Sequence, residues 1–217
     1  MKVVLDIENS VTKRGGKTHF DPFEPTNELV LVGTLTEMGE EEHFSPPISK
    51  STNYILDKTT LLIGHNIAYD LVWLWECGFV YDGVVFDTML GEYLLQRGQK
   101  QPLSLEACAE RYELETQKES TLKDYLKKGV SVADIPTEEL SAYLSADLHA
   151  TQQLYNKIQE RLQGEKDCKL YKTIEMTNRV ACVLAHIFQR GFTVNRDELL
   201  RVKDEFEAEK LQLQTTL

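Results

Sequence analysis

Lys2-Val3-Val4-Leu5-Asp6-Ile7-Glu8 decides how the rest of the chain is read. It is apolar enough on both sides to form a buried strand, and it ends in two acids one residue apart. Side chains alternate along a strand, so Asp6 and Glu8 point to the same side. Two like charges at the end of a core strand repel and are costly to bury. Either the strand ends at the surface with both acids solvated, or a divalent cation offsets the repulsion, because hard cations take carboxylate oxygens. The stretch alone leaves both readings open.

Working outward, the next strands follow from the same patterning. Glu28 to Glu37 reads as a second strand, Gly39 as its turn, and Glu42 to Ser45 as a third, together an antiparallel meander beside the first. Pro46-Pro47 stops it, and Ile48 to Lys58 reads as a short helix. Thr60 to His65 is a fourth strand and Val84 to Phe86 a fifth. Asn66 opens a helix that Gly78 closes, with Asp70 in its first turn, where the helix dipole favours an acid. Asp87-Thr88 starts the helix Met89 to Gln96, Ser104 caps another over Leu105 to Tyr112, and Thr121 to Lys128 is a further helical stretch. Between the first two strands, Asn9 to Asn27 carries Lys13, Arg14 and Lys17 around Gly15-Gly16. Gly-Gly predicts a hairpin or loop tip, either a solvated turn or a contact for a phosphate backbone.

Composition bounds the function. The 217 residues are 41% hydrophobic and 27% charged, which is ordinary for a soluble protein of one domain and an appendage. No stretch reaches membrane-span length, and the direct start on a strand leaves no signal peptide, so a cytoplasmic location is expected. Cys77, Cys108, Cys168 and Cys182 are far apart, reading as reduced residues and not as zinc ligands or disulfides. The formal net charge of −11 argues against tight unaided binding to duplex nucleic acid. It leaves a nuclease open, because bound cations neutralise a carboxylate site.

The longest predicted helix runs from about Thr137 to Gln163, with Leu140, Leu144, Leu148, Thr151, Tyr155, Ile158 and Leu162 as its buried stripe. Tyr143 and Asp147, four residues apart, share the neighbouring face. An acid there needs a partner, and none with positive charge lies one turn away. Asp6, Glu8, Asp70 and Asp147 thus all fall where strand ends and helix starts of a βα architecture converge. Such an all-oxygen set suits Mg²⁺ or Mn²⁺, and two such ions form a clamp for in-line displacement at a phosphodiester.

Three motifs carry a family resemblance. Asp6-Ile7-Glu8, Asn66-Ile67-Ala68-Tyr69-Asp70 and Tyr143-Leu144-Ser145-Ala146-Asp147 occur in this order, about 60 and about 75 residues apart. Together they resemble the 3′–5′ exonuclease domain of family A DNA polymerases, within the DEDD superfamily. Ala142 stands where the histidine branch would carry its His, so the chain resembles the tyrosine branch. The resemblance covers about residues 1–163 and departs at the Asn9–Asn27 loop.

It implies an α/β, ribonuclease H-like (DnaQ-like) fold: a mixed five-stranded sheet flanked by helices. It also implies metal roles for Asp6, Glu8, Asp70 and Asp147. Asp6 would bridge two ions (Mg²⁺ or Mn²⁺), Glu8 and Asp147 would complete the ligands of the first ion, and Asp70 would hold the second ion through water. Tyr143 would aim the attacking water. Asn9, Asn66 and Tyr69 are the substrate contacts it suggests, Asn66 reading more strongly as a helix cap. His65 reads as a hydrogen-bonded strand-end residue, and His149 faces away from Asp147.

The polar run Gln163 to Asp167 is the predicted boundary, giving an exonuclease domain at 1–163 and a helical extension at 164–217. Residues 175 to 217 resemble the segment leading into a polymerase thumb. The implied partners are a single-stranded DNA 3′ end and a DNA polymerase in cis or in trans, with no membrane. The alternatives are a ribonuclease D-like RNA trimmer and a non-catalytic scaffold of a split polymerase. The last helix, with Leu199 to Leu213, is expected to expose apolar surface unless it finds a partner.

Overall fold

The first strand, β1, spans Lys2–Asn9. It is followed by β2 (Thr12–Arg14), β3 (Lys17–His19), β4 (Leu29–Thr36), β5 (Glu41–Phe44), β6 (Leu61–Gly64) and β7 (Val84–Asp87). The helices are α1 (Ile67–Glu76), α2 (Thr88–Leu95), α3 (Leu105–Arg111), α4 (Thr137–Gly164), α5 (Lys169–Arg190) and α6 (Arg196–Thr216), with a 3₁₀ turn at Val132–Asp134. This computed structural model describes residues 1–46, 58–79, 81–115, 124–125, 127–164 and 169–216. The helix predicted over Ile48 to Lys58 (all but its last residue), half of that over Thr121 to Lys128, and Cys168 lie outside the described residues.

β1 is the middle strand of a five-stranded sheet of order β5-β4-β1-β6-β7. It pairs antiparallel with β4, Asp6 opposite Gly33, and parallel with β6, Val4 opposite Ile63. The register shifts between Glu8 and Asn9, a bulge of the kind that re-aims side chains at a sheet's rim. The sheet is therefore mixed, and β1 is apolar because both of its faces are covered. Val3, Leu5 and Ile7 pack with Ile67, Leu71 and Trp73 of α1 on one face. Val4 packs with Leu140, Leu144 and Leu148 of α4 on the other. Asp6 and Glu8 continue the Val4 side of the strand.

Gly33 sets how closely α4 approaches. A Cβ there would fall 2.8 Å from both Leu144 Cγ and Leu148 Cδ1. These leucines flank Asp147, and Gly33 lies opposite Asp6, so this contact fixes the depth at which α4 presents its acid. Gly33→Ala is expected to cost about 1–3 kcal/mol through overpacking, read as a lowered urea midpoint. Activity should fall further than stability, because α4 must shift outward to admit the methyl group.

The chain separates into two compact units, Met1–His186 and Ile187–Leu217. Most of α5 belongs to the first, with Ile174 buried in the α4-side core and Asn178 buried as well. Within the second, Arg201 pairs with Glu198 and Glu205 along α6, while Leu199, Phe206, Leu211 and Leu213 are more than half exposed. Among the described residues, no helix is long and apolar enough to cross a membrane.

Candidate active site

The carboxylates of Asp6, Glu8 and Asp147 each offer an oxygen within 4.8 Å of the other two. β1 supplies the first pair by its alternation, and α4 supplies the third one step round from its leucine stripe. Asp70 enters from the opposite face of the sheet, in the first turn of α1, and is 4% exposed. Its carboxylate feels the charge of Asp6 first, then those of Asp87 and Glu8. Asp6, Glu8 and Asp147 therefore meet at the carboxyl end of β1, and Asp70, from the helix on the opposite sheet face, lies near enough to feel the charge of Asp6.

Burial and mutual repulsion disfavour ionisation throughout this cluster. Desolvation, followed by the charge of Asp147, pushes the Asp6 carboxyl up to about 8. Desolvation, then Asp6 and Asp147, raises Glu8 well above the carboxylate range, and burial with Asp6 does the same for Asp70. The side-chain charges acting on these three groups are all carboxylates. Oxygen-only donors crowded so that each opposes the others' charge fit a hard divalent cation, which would reverse the sign of that interaction.

Tyr143 lies one helical turn before Asp147, to which its hydroxyl is hydrogen-bonded. Burial and the charge of Asp147 raise the phenol, so it stays protonated. It can hold and orient a water but cannot act as a base near neutrality.

The other predicted residues have mixed fates. Asn66 is at the N-cap position of α1, but in the left-handed region (φ 63, ψ 39), and its exposed side chain makes no capping bond. The cap expectation thus holds for the position and not for the side chain. Instead the Asn66 N–H donates to Asp87 Oδ1 (3.0 Å), which also accepts from Met89 and Leu90 N–H to cap α2. Tyr69 and Asn9 bond each other: the phenol is shared between Asn9 Oδ1 (2.8 Å) and the Phe20 carbonyl (2.9 Å). His65 bonds Thr88 and the Leu103 carbonyl, as expected of a strand-end residue, and His149 pairs with Glu41.

Asp87 is the residue that sequence reasoning underuses. Its position reads as a helix start only, yet its 1% exposed carboxylate raises Asp70 and ties the β6 and β7 ends together. The available signal is an acid at the end of a core strand, where Asp6 and Glu8 also stand on β1.

A mixed α/β sheet with a partly buried, oxygen-only carboxylate cluster at the end of its central strand is an arrangement that can hold a divalent cation. Residues 25–163 match the family model of the 3′–5′ exonuclease of the DNA polymerase A type, and the chain belongs to this exonuclease family. The matched span contains Asp70, Tyr143 and Asp147, while Asp6 and Glu8 precede it. The chain is 31% identical over 159 residues to DNA polymerase I of Borreliella burgdorferi, covering 67% of this chain and 17% of that protein. It is 31% identical over 151 residues to DNA polymerase I of a Synechocystis species, covering 69% and 15%. It therefore spans only about a sixth of the length of these curated relatives.

Among solved structures, Brucella melitensis NrnC bound to pGG superimposes with a TM-score of 0.64 at 17% identity, covering 88% of this chain and 85% of that one. NrnC with bound Mg²⁺ gives 0.62 at 16% identity, covering 88% and 86%. These likenesses bear out the ribonuclease H-like fold.

Proposed function

We propose that this chain is a metal-dependent 3′–5′ exonuclease that hydrolyses single-stranded DNA 3′ ends, in a proofreading role for a DNA polymerase. The observation that carries this reading is the mutual approach of Asp6, Glu8 and Asp147 within 4.8 Å, with Asp70 facing Asp6. Asp6, Glu8 and Asp147 would hold one Mg²⁺ or Mn²⁺, and Asp6 with Asp70 a second. Two such ions, when bound, supply the Lewis acidity that activates water and stabilises the leaving 3′ oxygen. Tyr143, anchored on Asp147, holds the attacking water in line with the phosphorus. An unpaired terminus is favoured as substrate because it leaves its stack cheaply.

A polymerase partner, in cis or in trans, is supported by the polymerase relatives. It is also supported by an exposed apolar stripe on α5: Met176, Val180, Val183 and Leu184 are each about half exposed or more. A second reading, trimming of RNA 3′ ends, is favoured by the fold likeness to NrnC, solved with pGG.

The test is degradation of 5′-labelled single-stranded DNA and RNA oligonucleotides of one sequence, with Mg²⁺, Mn²⁺ or EDTA, by wild type and Asp147→Ala. The expected result is a ladder shortening from the 3′ end in either metal, faster on DNA, and absent in EDTA and in Asp147→Ala. Faster RNA shortening would favour the second reading. A folded wild type that shortens neither strand would leave only the scaffold role.

A further inference from the structure

The insertion between β1 and β4 takes no part in the acidic centre, yet it is built to a defined shape beside it. Gly15 and Gly16, with φ 59 and 75, close the β2–β3 ribbon in a two-residue turn of the hairpin type. The base of the insertion is stitched shut. Ser10 and Glu28 are joined by hydrogen bonds, the Asn27 amide donates to the His19 and Asp21 carbonyls, and Arg14 pairs with the buried Glu24 at 2.9 Å. Its far side is fastened to α1, where the Phe20 carbonyl accepts from Tyr69 (2.9 Å) and from Trp73 Nε1 (3.2 Å). Tyr69 adjoins Asp70 and feels the charges of both Asp70 and Glu8. The insertion is thus held at the rim of the carboxylate centre.

This segment shows aromatic rings and positive charge to solvent together. Phe20 is 55% exposed and Phe23 44%. Lys13 and Lys17 flank the turn and are exposed, and residues 12–19 carry three cations and no acid in a chain of net charge −11. In the antiparallel register Arg14 stands opposite Lys17 and Lys13 opposite Thr18. Lys13 and Lys17 therefore occupy opposite faces of the ribbon. A positive ribbon beside exposed aromatic rings is the combination that grips single strands: cations for the backbone, rings for the bases.

We propose that residues 12–23 form a guide for single-stranded nucleic acid. Lys13 and Lys17 contact phosphates upstream of the 3′ end, and Phe20 and Phe23 stack on bases. The guide offsets the repulsion that the acidic body presents to a polyanion. The proposal rests on the nuclease reading of the carboxylate centre, and its test separates the two.

Wild type, Phe20→Ala/Phe23→Ala and Lys13→Ala/Lys17→Ala are compared in two ways. The first is fluorescence-anisotropy binding of labelled oligo-dT and oligo-U in EDTA, over a salt series. The second is the ratio of kcat/KM for oligo-dT to kcat/KM for thymidine 5′-p-nitrophenyl phosphate, a diester too small to reach the guide. The aromatic variant is expected to bind about tenfold or more weaker. The lysine variant is expected to flatten the slope of log affinity against log salt by roughly 1.4, for two lost phosphate contacts. Both should lower the kinetic ratio. The two lysines are exposed at the tip of the ribbon, so their removal leaves the core packing intact. Binding and slope equal to wild type in the lysine variant would overturn the guide. A wild type that binds oligonucleotide through the guide but hydrolyses neither substrate would overturn the nuclease reading alone. Equal losses on oligo-dT and oligo-U assign the guide to single strands generally, and a loss on one assigns it to that strand.

Discussion

Asp6→Asn is expected to lose about 10³-fold or more of the nuclease rate while making the metal-free fold more stable. The rate loss follows from the position of Asp6, within ligand distance of Glu8 and Asp147 and electrostatically coupled to Asp70. Removing charge stabilisation of several kcal/mol from the proposed cation site, at about 1.4 kcal/mol per tenfold, gives that magnitude. The stability gain follows from linkage. Asp6 ionises at about 8 in the folded chain against 3.8 ordinarily, so between these values the folded state binds the proton more tightly than the unfolded state. Stability of the metal-free protein therefore falls as pH rises through this window. The penalty is absent below about pH 4 and complete above about pH 8.

The asparagine variant does not pay it. Discounted for the water that reaches a partly buried carboxylate, the gain is on the order of 2 kcal/mol at pH 8. Melting curves in EDTA at pH 4 to 8.5 check the sign: the difference between variant and wild type should open with pH. Adding Mg²⁺ or Mn²⁺ should then stabilise wild type and not the variant. A variant less stable than wild type at pH 8 in EDTA would mean that the carboxylate is held by something other than its like-charged neighbours.

Much of this site was legible because its logic is local. Asp6 and Glu8 announce themselves by a period of two on an otherwise apolar strand, and Asp147 by its place beside a period-3.6 leucine stripe. Neither inference needs to know what lies across the sheet. Gly15-Gly16 was legible as a turn for the same reason, since two positive-φ positions in a row favour glycine.

Other features depend on contacts made over a long sequence separation. Gly33 looks like an ordinary break in a strand until Leu144 and Leu148 are brought over it. The tie of Phe20 to Tyr69 and Trp73 links residues about fifty apart, and without it the insertion reads as a solvated loop. Asn66 shows the reverse error. A residue type that commonly caps helices sits at the cap position, but the Asp87 carboxylate, 21 residues on, receives the N–H at that end. Propensity located the helix start, and the tertiary partner made the bond.

Glu92→Ala should be the most destabilising substitution away from the carboxylate centre, at roughly 3–5 kcal/mol. Glu92 is 0% exposed in α2. One of its oxygens accepts from Arg111 at 2.9 Å and the other from the Tyr112 hydroxyl at 2.6 Å. Arg161 of α4 lies 3.8 Å away and also donates to Tyr112. Arg111 in turn donates to the Pro102 carbonyl. One buried carboxylate thus ties α2, α3 and α4. Its loss leaves the partly buried Arg111 guanidinium without its counter-charge, which costs more than the pair itself contributed.

Glu92→Gln should lose less, because the amide oxygen can still accept while the charge is gone. The ordering of urea midpoints, wild type above Gln above Ala, tests the network. α4 also carries Tyr143 and Asp147, so the loosened variant should lose nuclease activity at temperatures well below its unfolding transition. If activity and fold were instead lost together, Glu92 would serve global stability only. Activity lost first would mean that the network holds the part of α4 carrying Tyr143 and Asp147 in register with β1.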